Sequence, residues 1–292
     1  MTFEHRPEGL AGSLLMSSGR WGTHGIEMTA DRVIKRFASR GDGRAEREWR
    51  GLALLSAHVP GLTPEPWEAD LALDKPVVVM SRLTGVPLRG TALGKKGLEA
   101  LAEAVAALYE AVPPDVLCKV PLRPGRPSEL VGHIGRWAVD MRPQTGGLVR
   151  RAVDAGLSWL VRSGLEADTL QEVPEVFGPG DGNLANYLWD GSRVRVVDFE
   201  DSGRSDRAFE LAEITEHVGS WVEHPLDVPA FLGQFELSPA ETVRLRECRR
   251  LLALVWLFLL ARDDPERPRN PPGTVERQAA RLLELLGVRS RR

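Results

Sequence analysis

The chain of 292 residues is 42% apolar with a formal charge of −3, which suits one large packed unit or two modest ones and excludes a disordered or fibrous chain. Arginines far outnumber lysines, but acids are interspersed with them, so there is no overall basic field for nucleic acid, and the longest apolar run, Leu251 to Ala261, falls well short of the ~20 residues a bilayer helix needs. Cys118 and Cys248 lie far apart with no disulfide or zinc-ligand spacing, and the polar start from Met1 to Pro7 does not read as a secretory signal, so a cytoplasmic location is expected.

The first eighty residues read as strands with one helix. Ser13 to Met16, Gly25 to Met28 and Arg32 to Phe37 have strand character. The two-residue strand period puts Lys35 on the same side as Val33 and Phe37, so its ammonium lies over an apolar face. That suits a phosphate-binding lysine, although an edge-strand lysine in solvent is the commoner case. Ala45 to Leu55 predicts a helix with Trp49, Leu52 and Leu55 inward and Glu48 near that edge. Pro76 to Met80 is a β-branched run that gives way to the turn-rich segment Ser81 to Leu88, where strand composition passes into helix composition.

Beyond that point the chain reads mostly as helices. Leu98, Leu101, Val105, Leu108 and Val112 repeat at three and four residues and form one apolar stripe. Similar patterns run over Leu130 to Val139, Leu148 to Val161 and Val275 to Leu286. Ser238-Pro239-Ala240-Glu241 has the form of a capping box with proline at the first helical position.

The segment Gly178-Pro179-Gly180-Asp181-Gly182-Asn183-Leu184-Ala185-Asn186 carries the chemistry. Asp181 and Asn186 stand five positions apart in a loop, and Asp198 ends the apolar run Val194 to Val197. Between them, Tyr187-Leu188-Trp189 and Val194 to Val197 form strands joined by Asp190-Gly191, a hairpin signal that brings Asn186 and Asp198 together. Phosphoryl transfer needs a carboxylate for the hydroxyl proton, an amide oxygen for one magnesium and a second carboxylate between metal and phosphates, and kinases use this spacing. Taken alone, the loop residues also suit ordinary turn chemistry.

From Gly180 to Glu216 the chain resembles the aminoglycoside phosphotransferase and choline kinase-like superfamily, small-molecule kinases with a protein-kinase-like fold. Its members carry His-Gly-Asp, four residues and Asn, then an Asp-aromatic-acid segment, then a helix with Asp-Leu-Ala. Here the series is Gly180-Asp181, Asn186, Asp198-Phe199-Glu200-Asp201, Asp206 and Phe209-Glu210-Leu211-Ala212. Pro179 stands where the family usually has an architectural histidine.

The resemblance implies an α+β, bilobal protein-kinase-like fold, with a strand-rich nucleotide-binding lobe over 1–82 and a helical lobe over 83–292 that carries the catalytic loop and acceptor site. It makes Asp181 the catalytic base and Asn186 and Asp198 the Mg2+ ligands, with Asp206 and Glu210 bracing the loop. Lys35 would hold the ATP phosphates with Glu48 behind it, Glu46 being the fallback. Backbone N–H groups around Ser17, Ser18 and Gly19 would cover the phosphates, Met80 would line the base pocket, and backbone from Ser81 to Leu83 would meet adenine. The implied reaction is ATP-dependent transfer to a hydroxyl of an aminoglycoside-like antibiotic, an amino sugar or a related polar metabolite. The acids Glu200, Asp201, Glu210, Glu213 and Glu216 could serve a cationic acceptor or cap and solvate a helix. The competing reading is a non-catalytic nucleotide-binding scaffold of the same architecture. A protein kinase is disfavoured, because Asp198 is followed almost at once by the next helix, leaving little room for a peptide platform.

Overall fold

The computed structural model describes residues 25–141, 146–166, 173–263, 266 and 269–288. The strand read at Ser13 to Met16 and the phosphate-covering loop at Ser17, Ser18 and Gly19 lie outside the described residues.

Four strands form the N-terminal sheet: β1 (Gly25–Met28), β2 (Arg32–Arg36), β3 (Pro66–Asp70) and β4 (Val77–Ser81), in the order β1-β2-β4-β3 and antiparallel throughout. Lys35 pairs with Ile26 on one side and with Val78 on the other, so β2 is central rather than an edge, and the lysine is buried. Helix α1 (Arg44–His58) packs on this sheet, with Ala45, Glu48, Gly51, Leu52 and Leu55 buried. Trp49, expected inward, is only partly buried because Glu48 and Gly51 take the innermost positions. Gly51 allows the close approach: a Cβ there would stand 3.0 Å from both Phe199 Cβ and Ser202 Oγ.

After the short strand β5 (Val86–Pro87) the chain becomes helical, with α2 (Lys95–Glu110), α3 (Pro114–Leu117), α4 (Pro127–Met141) and α5 (Gly147–Leu160). The predicted stripe of α2 is buried as read, including Leu98, Leu101, Val105 and Leu108. Two antiparallel ribbons then build the floor of a cleft. β6 (Glu175–Gly178) pairs with β9 (Gly203–Asp206), while β7 (Tyr187–Trp189) pairs with β8 (Val194–Val196) and also with β5. The β7–β8 turn forms as expected around Asp190, whose Oδ1 accepts from the backbone N–H of Ser192 and Arg193 at 2.9 and 3.0 Å.

The chain ends in α6 (Arg207–Glu216), α7 (Val228–Leu232), α8 (Pro239–Ala261) and α9 (Thr274–Leu285). The capping box is complete: Glu241 N–H donates to Ser238 Oγ at 3.2 Å and Ser238 N–H donates to Glu241 Oε2 at 2.9 Å. The apolar run from Leu251 is the buried half of α8, packed with α4, α5 and α9 in a second hydrophobic cluster. Among the described residues no helix is long and apolar enough to cross a membrane. A larger cluster runs continuously from the N-terminal sheet through α1 and α2 to the ribbons and α6, so the cleft rests on one packed core.

Candidate active site

Lys35 sits at the centre of the cleft. Its Nζ lies 3.0 Å from Glu48 Oε2, 2.6 Å from Asp198 Oδ1 and 2.7 Å from Glu200 Oε2. Burial works against the ammonium, but the three carboxylates outweigh it and hold Lys35 above its ordinary pKa. Glu48 is buried, and its Oε2 also accepts from the backbone N–H of Phe199 at 2.8 Å. One carboxylate oxygen therefore ties the sheet lysine to the segment that carries Asp198. Burial pushes the Glu48 carboxyl upward while the lysine beside it acts the other way. Glu46, on the same helix, makes no contact with Lys35.

Asp198 has φ 72°, a left-handed conformation that is costly for a residue with a Cβ. Its neighbours fix it there: Val197 N–H donates to Asn186 O at 2.9 Å, Phe199 N–H is held by Glu48, and Lys35 holds the side chain. About a third of the Asp198 side chain, 36%, stays accessible to the cleft.

The loop between β6 and β7 approaches its surroundings through glycines. A Cβ on Gly182 would stand 2.2 Å from the Glu213 carbonyl group, and one on Gly180, at φ 85°, would stand 2.1 Å from Asp201 O. Between them Asp181 accepts from Asn183 N–H at 2.9 Å through Oδ1 and from Asn186 Nδ2 at 3.0 Å through Oδ2. Burial and the Asp198 carboxylate raise the Asp181 carboxyl to about 6, with those two hydrogen bonds opposing. Because the Asn186 NH2 group is spent on Asp181, its amide oxygen is left to face a cation. Together with the Asp198 carboxylate it makes an all-oxygen donor pair of the kind magnesium prefers. Glu48, Asp198 and Glu200 also offer oxygens within 4.8 Å of one another.

His217 was not singled out by the sequence. It is buried, its Nδ1 accepts from Gly219 N–H at 2.9 Å, and its Nε2 lies 3.6 Å from Asp181 Oδ1. The first contact puts the ring proton on Nε2, facing Asp181. Burial, with Arg89 nearby, lowers the imidazole to about 3, so it stays neutral at ordinary pH.

A cavity of about 300 Å³ opens beside this group. Ile26, Met28, Val33 and Met80 give it an apolar roof, Leu188 and Val197 a floor, and Lys35, Asn186 and Asp198 a polar end. Ser81 and Leu83 line it as well, but the N–H groups of Ser81 and Arg82 already donate to Glu65 O at 2.9 Å and Asp31 O at 2.8 Å.

The structure thus brings Lys35, Glu48, Met80, Ser81, Leu83, Asp181, Asn186 and Asp198 around one cleft. One expectation needs correction. Asp206 caps α6, accepting from Phe209 N–H at 2.8 Å, and pairs with Arg244 at 3.1 Å, so bracing of the loop falls to Glu210. The acids left open between an acceptor and a structural role are each ion-paired within the chain: Glu200 with Lys35 and Arg44, Asp201 with Arg47, Glu210 and Glu213 with Arg123, and Glu216 with Arg249 and Arg281. The surplus of arginine over lysine was the only sequence signal for these pairs, and it gave no partners.

Solved structures share this architecture along nearly the whole chain. The choline kinase LicA from Streptococcus pneumoniae is 16% identical, with a TM-score of 0.60 over 96% of this chain and 95% of that one. The GDP and kanamycin complex of APH(2")-IIia gives 0.68 at 16% identity, over 96% and 94%. The ternary complex of a thermostable mutant of aminoglycoside phosphotransferase APH(4)-Ia with AMP-PNP and hygromycin B gives 0.64 at 14% identity, over 95% and 94%. At such identities the likeness carries the fold: a strand-rich N-terminal sheet over a helical C-terminal part, as in these kinases. No curated protein matches the chain. The model of the phosphotransferase enzyme family, however, matches residues 22–252, most of the polypeptide and all of the cleft just described, and the chain belongs to that family as a phosphotransferase.

Proposed function

We propose that this phosphotransferase moves the γ-phosphoryl group of ATP to a hydroxyl of a small polar molecule, an aminoglycoside-like antibiotic, an amino sugar or a related metabolite. The observation that carries the reading is the 2.6 Å contact of Lys35 with Asp198, residues 163 positions apart, beside the Asp181–Asn186 pair. In this scheme the two lobes are 1–82 and 83–292, dividing within the turn-rich segment Ser81 to Leu88, and the nucleotide lies between them.

The base occupies the apolar roof under Met80. With Ser81 and Arg82 N–H already bonded, the backbone donor for its edge is Leu83. Lys35 holds the α- and β-phosphates and Glu48 keeps the ammonium aimed into the cleft. Asn186 and Asp198 would hold magnesium, which when bound would supply neutralisation of the phosphate charge. Asp181 orients the acceptor hydroxyl and takes its proton, a task suited to a carboxyl near pKa 6. GDP and AMP-PNP in the related structures support a nucleotide here, and choline, kanamycin and hygromycin B indicate the range of acceptors to test.

A screen of hydroxyl acceptors with ATP or GTP and Mg2+ tests the proposal, with Asp198→Ala as control. The expected result is metal-dependent transfer that the variant loses while its fold persists. Turnover unchanged in Asp198→Ala refutes the scheme. Nucleotide binding without transfer to any acceptor favours the scaffold reading, whose motive is Pro179 in place of the usual histidine.

A further inference from the structure

We propose that Arg123 is the positioning residue for Asp181: it holds the peptide that joins Gly180 to the base, in a loop that lacks the usual histidine. The inference rests on Asp181 as the base of the proposed reaction.

Arg123 belongs to the segment between α3 and α4, far from the cleft in sequence. Its backbone is fastened to β9: Arg123 N–H donates to Arg204 O at 3.1 Å and Arg204 N–H donates to Pro121 O at 2.9 Å. Gly203 makes the approach possible, since a Cβ there would lie 2.7 Å from Arg123 N. The side chain then runs inward, 4% exposed, with its guanidinium 5.0 Å from the centre of the Phe209 ring.

Its donors are aimed at distinct acceptors. Nη1 donates to Glu210 Oε1 at 2.7 Å, Nη2 to Gly180 O at 2.9 Å and to Glu213 Oε1 at 3.1 Å, and Nε to Pro124 O at 3.0 Å. Glu210 completes the grip, its Oε2 accepting from Gly180 N–H at 3.4 Å. Gly180 is thus held at its N–H by the carboxylate and at its carbonyl by the arginine.

The carbonyl end is the one that matters for the base. A peptide unit is planar, so fixing the Gly180 carbonyl fixes the direction of the Asp181 N–Cα bond. Gly180 has φ 85° and no Cβ, so its own torsions would let that plane swing. Only a fork can serve both Glu210 and Gly180 O from one side chain; a lysine ammonium can keep the charge but not the paired geometry.

The experiment compares wild type with Arg123→Lys. Steady-state Mg-ATP turnover and hydrogen exchange by mass spectrometry are read on the same preparations. The expected outcome is a kcat lower by about 10- to 100-fold, the scale at which a reacting group displaced by ~1 Å loses rate. KM for ATP should move by less than about threefold, because the arginine touches neither Lys35 nor the nucleotide cavity. Amides of the Gly180 to Asn186 loop should exchange faster while those of α1 and β4 keep their protection. A folded Arg123→Lys with wild-type kcat overturns the proposal, as does faster exchange spread evenly over β6, β9 and α6.

Should Arg123→Lys not fold, the triple variant Arg123→Met with Glu210→Gln and Glu213→Gln answers the same question. Removing a buried charge together with both of its counter-charges is tolerated far better than removing one partner, and the carboxamide at 210 retains an acceptor for Gly180 N–H while the Gly180 carbonyl is released. The exchange arm needs no turnover. An inactive wild type would therefore sink the proposed reaction and still let the loop amides decide whether Arg123 holds Gly180.

Discussion

Replacing Glu48 with Gln probes the deepest part of the cleft at nearly constant volume. One oxygen, Oε2, receives both Lys35 Nζ at 3.0 Å and Phe199 N–H at 2.8 Å, and the residue is 1% exposed, so neither bond can be passed to water. Losing a charged hydrogen bond in such a site costs about 1.5–3 kcal/mol, and weakening the second to a neutral bond adds up to ~1 kcal/mol. Against this stands a relief. Lys35 keeps Asp198 and Glu200, Arg44 pairs with Glu200, and the variant removes one negative charge from a group in which three carboxylates surround a single ammonium. The full ~3–5 kcal/mol of a broken buried pair therefore does not apply, and a net cost of about 2 kcal/mol is expected. For a chain of this size that is a fall in Tm of about 3 °C. The ammonium, left to Asp198 and Glu200, turns from the phosphate position, so nucleotide affinity should fall as well. Differential scanning fluorimetry and calorimetric titration with ATP read both effects. Glu46→Gln, on the same helix but without contact to Lys35, is the matched control and should leave both unchanged. If Glu48→Gln and Glu46→Gln behave alike in stability and affinity, the buried pairing has no energetic consequence and its assigned role is wrong.

Gly182→Ala should be severely destabilising, by several kcal/mol, because its Cβ would meet main-chain atoms of Glu213 at 2.2 Å and backbone cannot rotate away; thermal unfolding and soluble yield check it. Gly135→Ala should act oppositely, raising stability by about 0.5–1 kcal/mol, since it lies exposed within α4 with nothing near its Cβ. In metal-free buffer, Asp181 should weaken the fold as pH rises. Its folded pKa of about 6 exceeds the reference value of 3.8, so the folded state binds the proton more tightly and that advantage is lost between about pH 4 and 6. Asp181→Asn should therefore unfold at higher temperature than wild type above pH 6, with the gap closing below pH 4; a gap independent of pH contradicts the raised pKa.

The elements that the sequence displayed were those whose signal is local. The two-residue period placed Lys35 on the face shared by Val33, the spacing of Leu98, Leu101, Val105 and Leu108 drew α2, and the Ser238–Glu241 box marked the start of α8. What stayed hidden depends on distant partners. Gly203-Arg204-Ser205-Asp206 has no strand composition, and it is extended only because β6 pairs with it along its whole length and Leu122 bridges to its second residue. Arg123 carried no motif; its reach to the Gly180 loop exists only once the 121–126 segment is laid on that strand. Glu200 was visible as an acid after Asp198, but its turn toward Lys35 follows from Arg44 and from Arg47, whose Nε donates to its carbonyl at 2.6 Å.

Of the acids weighed for a cationic acceptor, Glu210, Glu213 and Glu216 lie in the scaffold together with Asp206, and their spacing shows why. These four recur at four, three and three residues, so they form one stripe along α6 and its cap. Each is met by a guanidinium from elsewhere: Arg244 and Arg249 on α8, Arg281 on α9 and Arg123 beside β9. Glu216 is fully buried between two of them, at 2.6 and 2.9 Å. Such pairs add little net stability, because burial offsets most of their attraction, but the fork geometry sets the angle at which helices meet. A stripe bonded in this way fixes α6 against α8 and α9 at one end and against the Gly180 loop at the other. An amine-bearing acceptor that used these carboxylates would have to displace an arginine, and at the buried Arg123 the charge left unpaired would cost about 3–5 kcal/mol. Two carboxylates outside this stripe stay turned to the cleft, Asp181 at 37% and Asp198 at 36% accessible, and they are the acids an acceptor could meet without breaking these pairs.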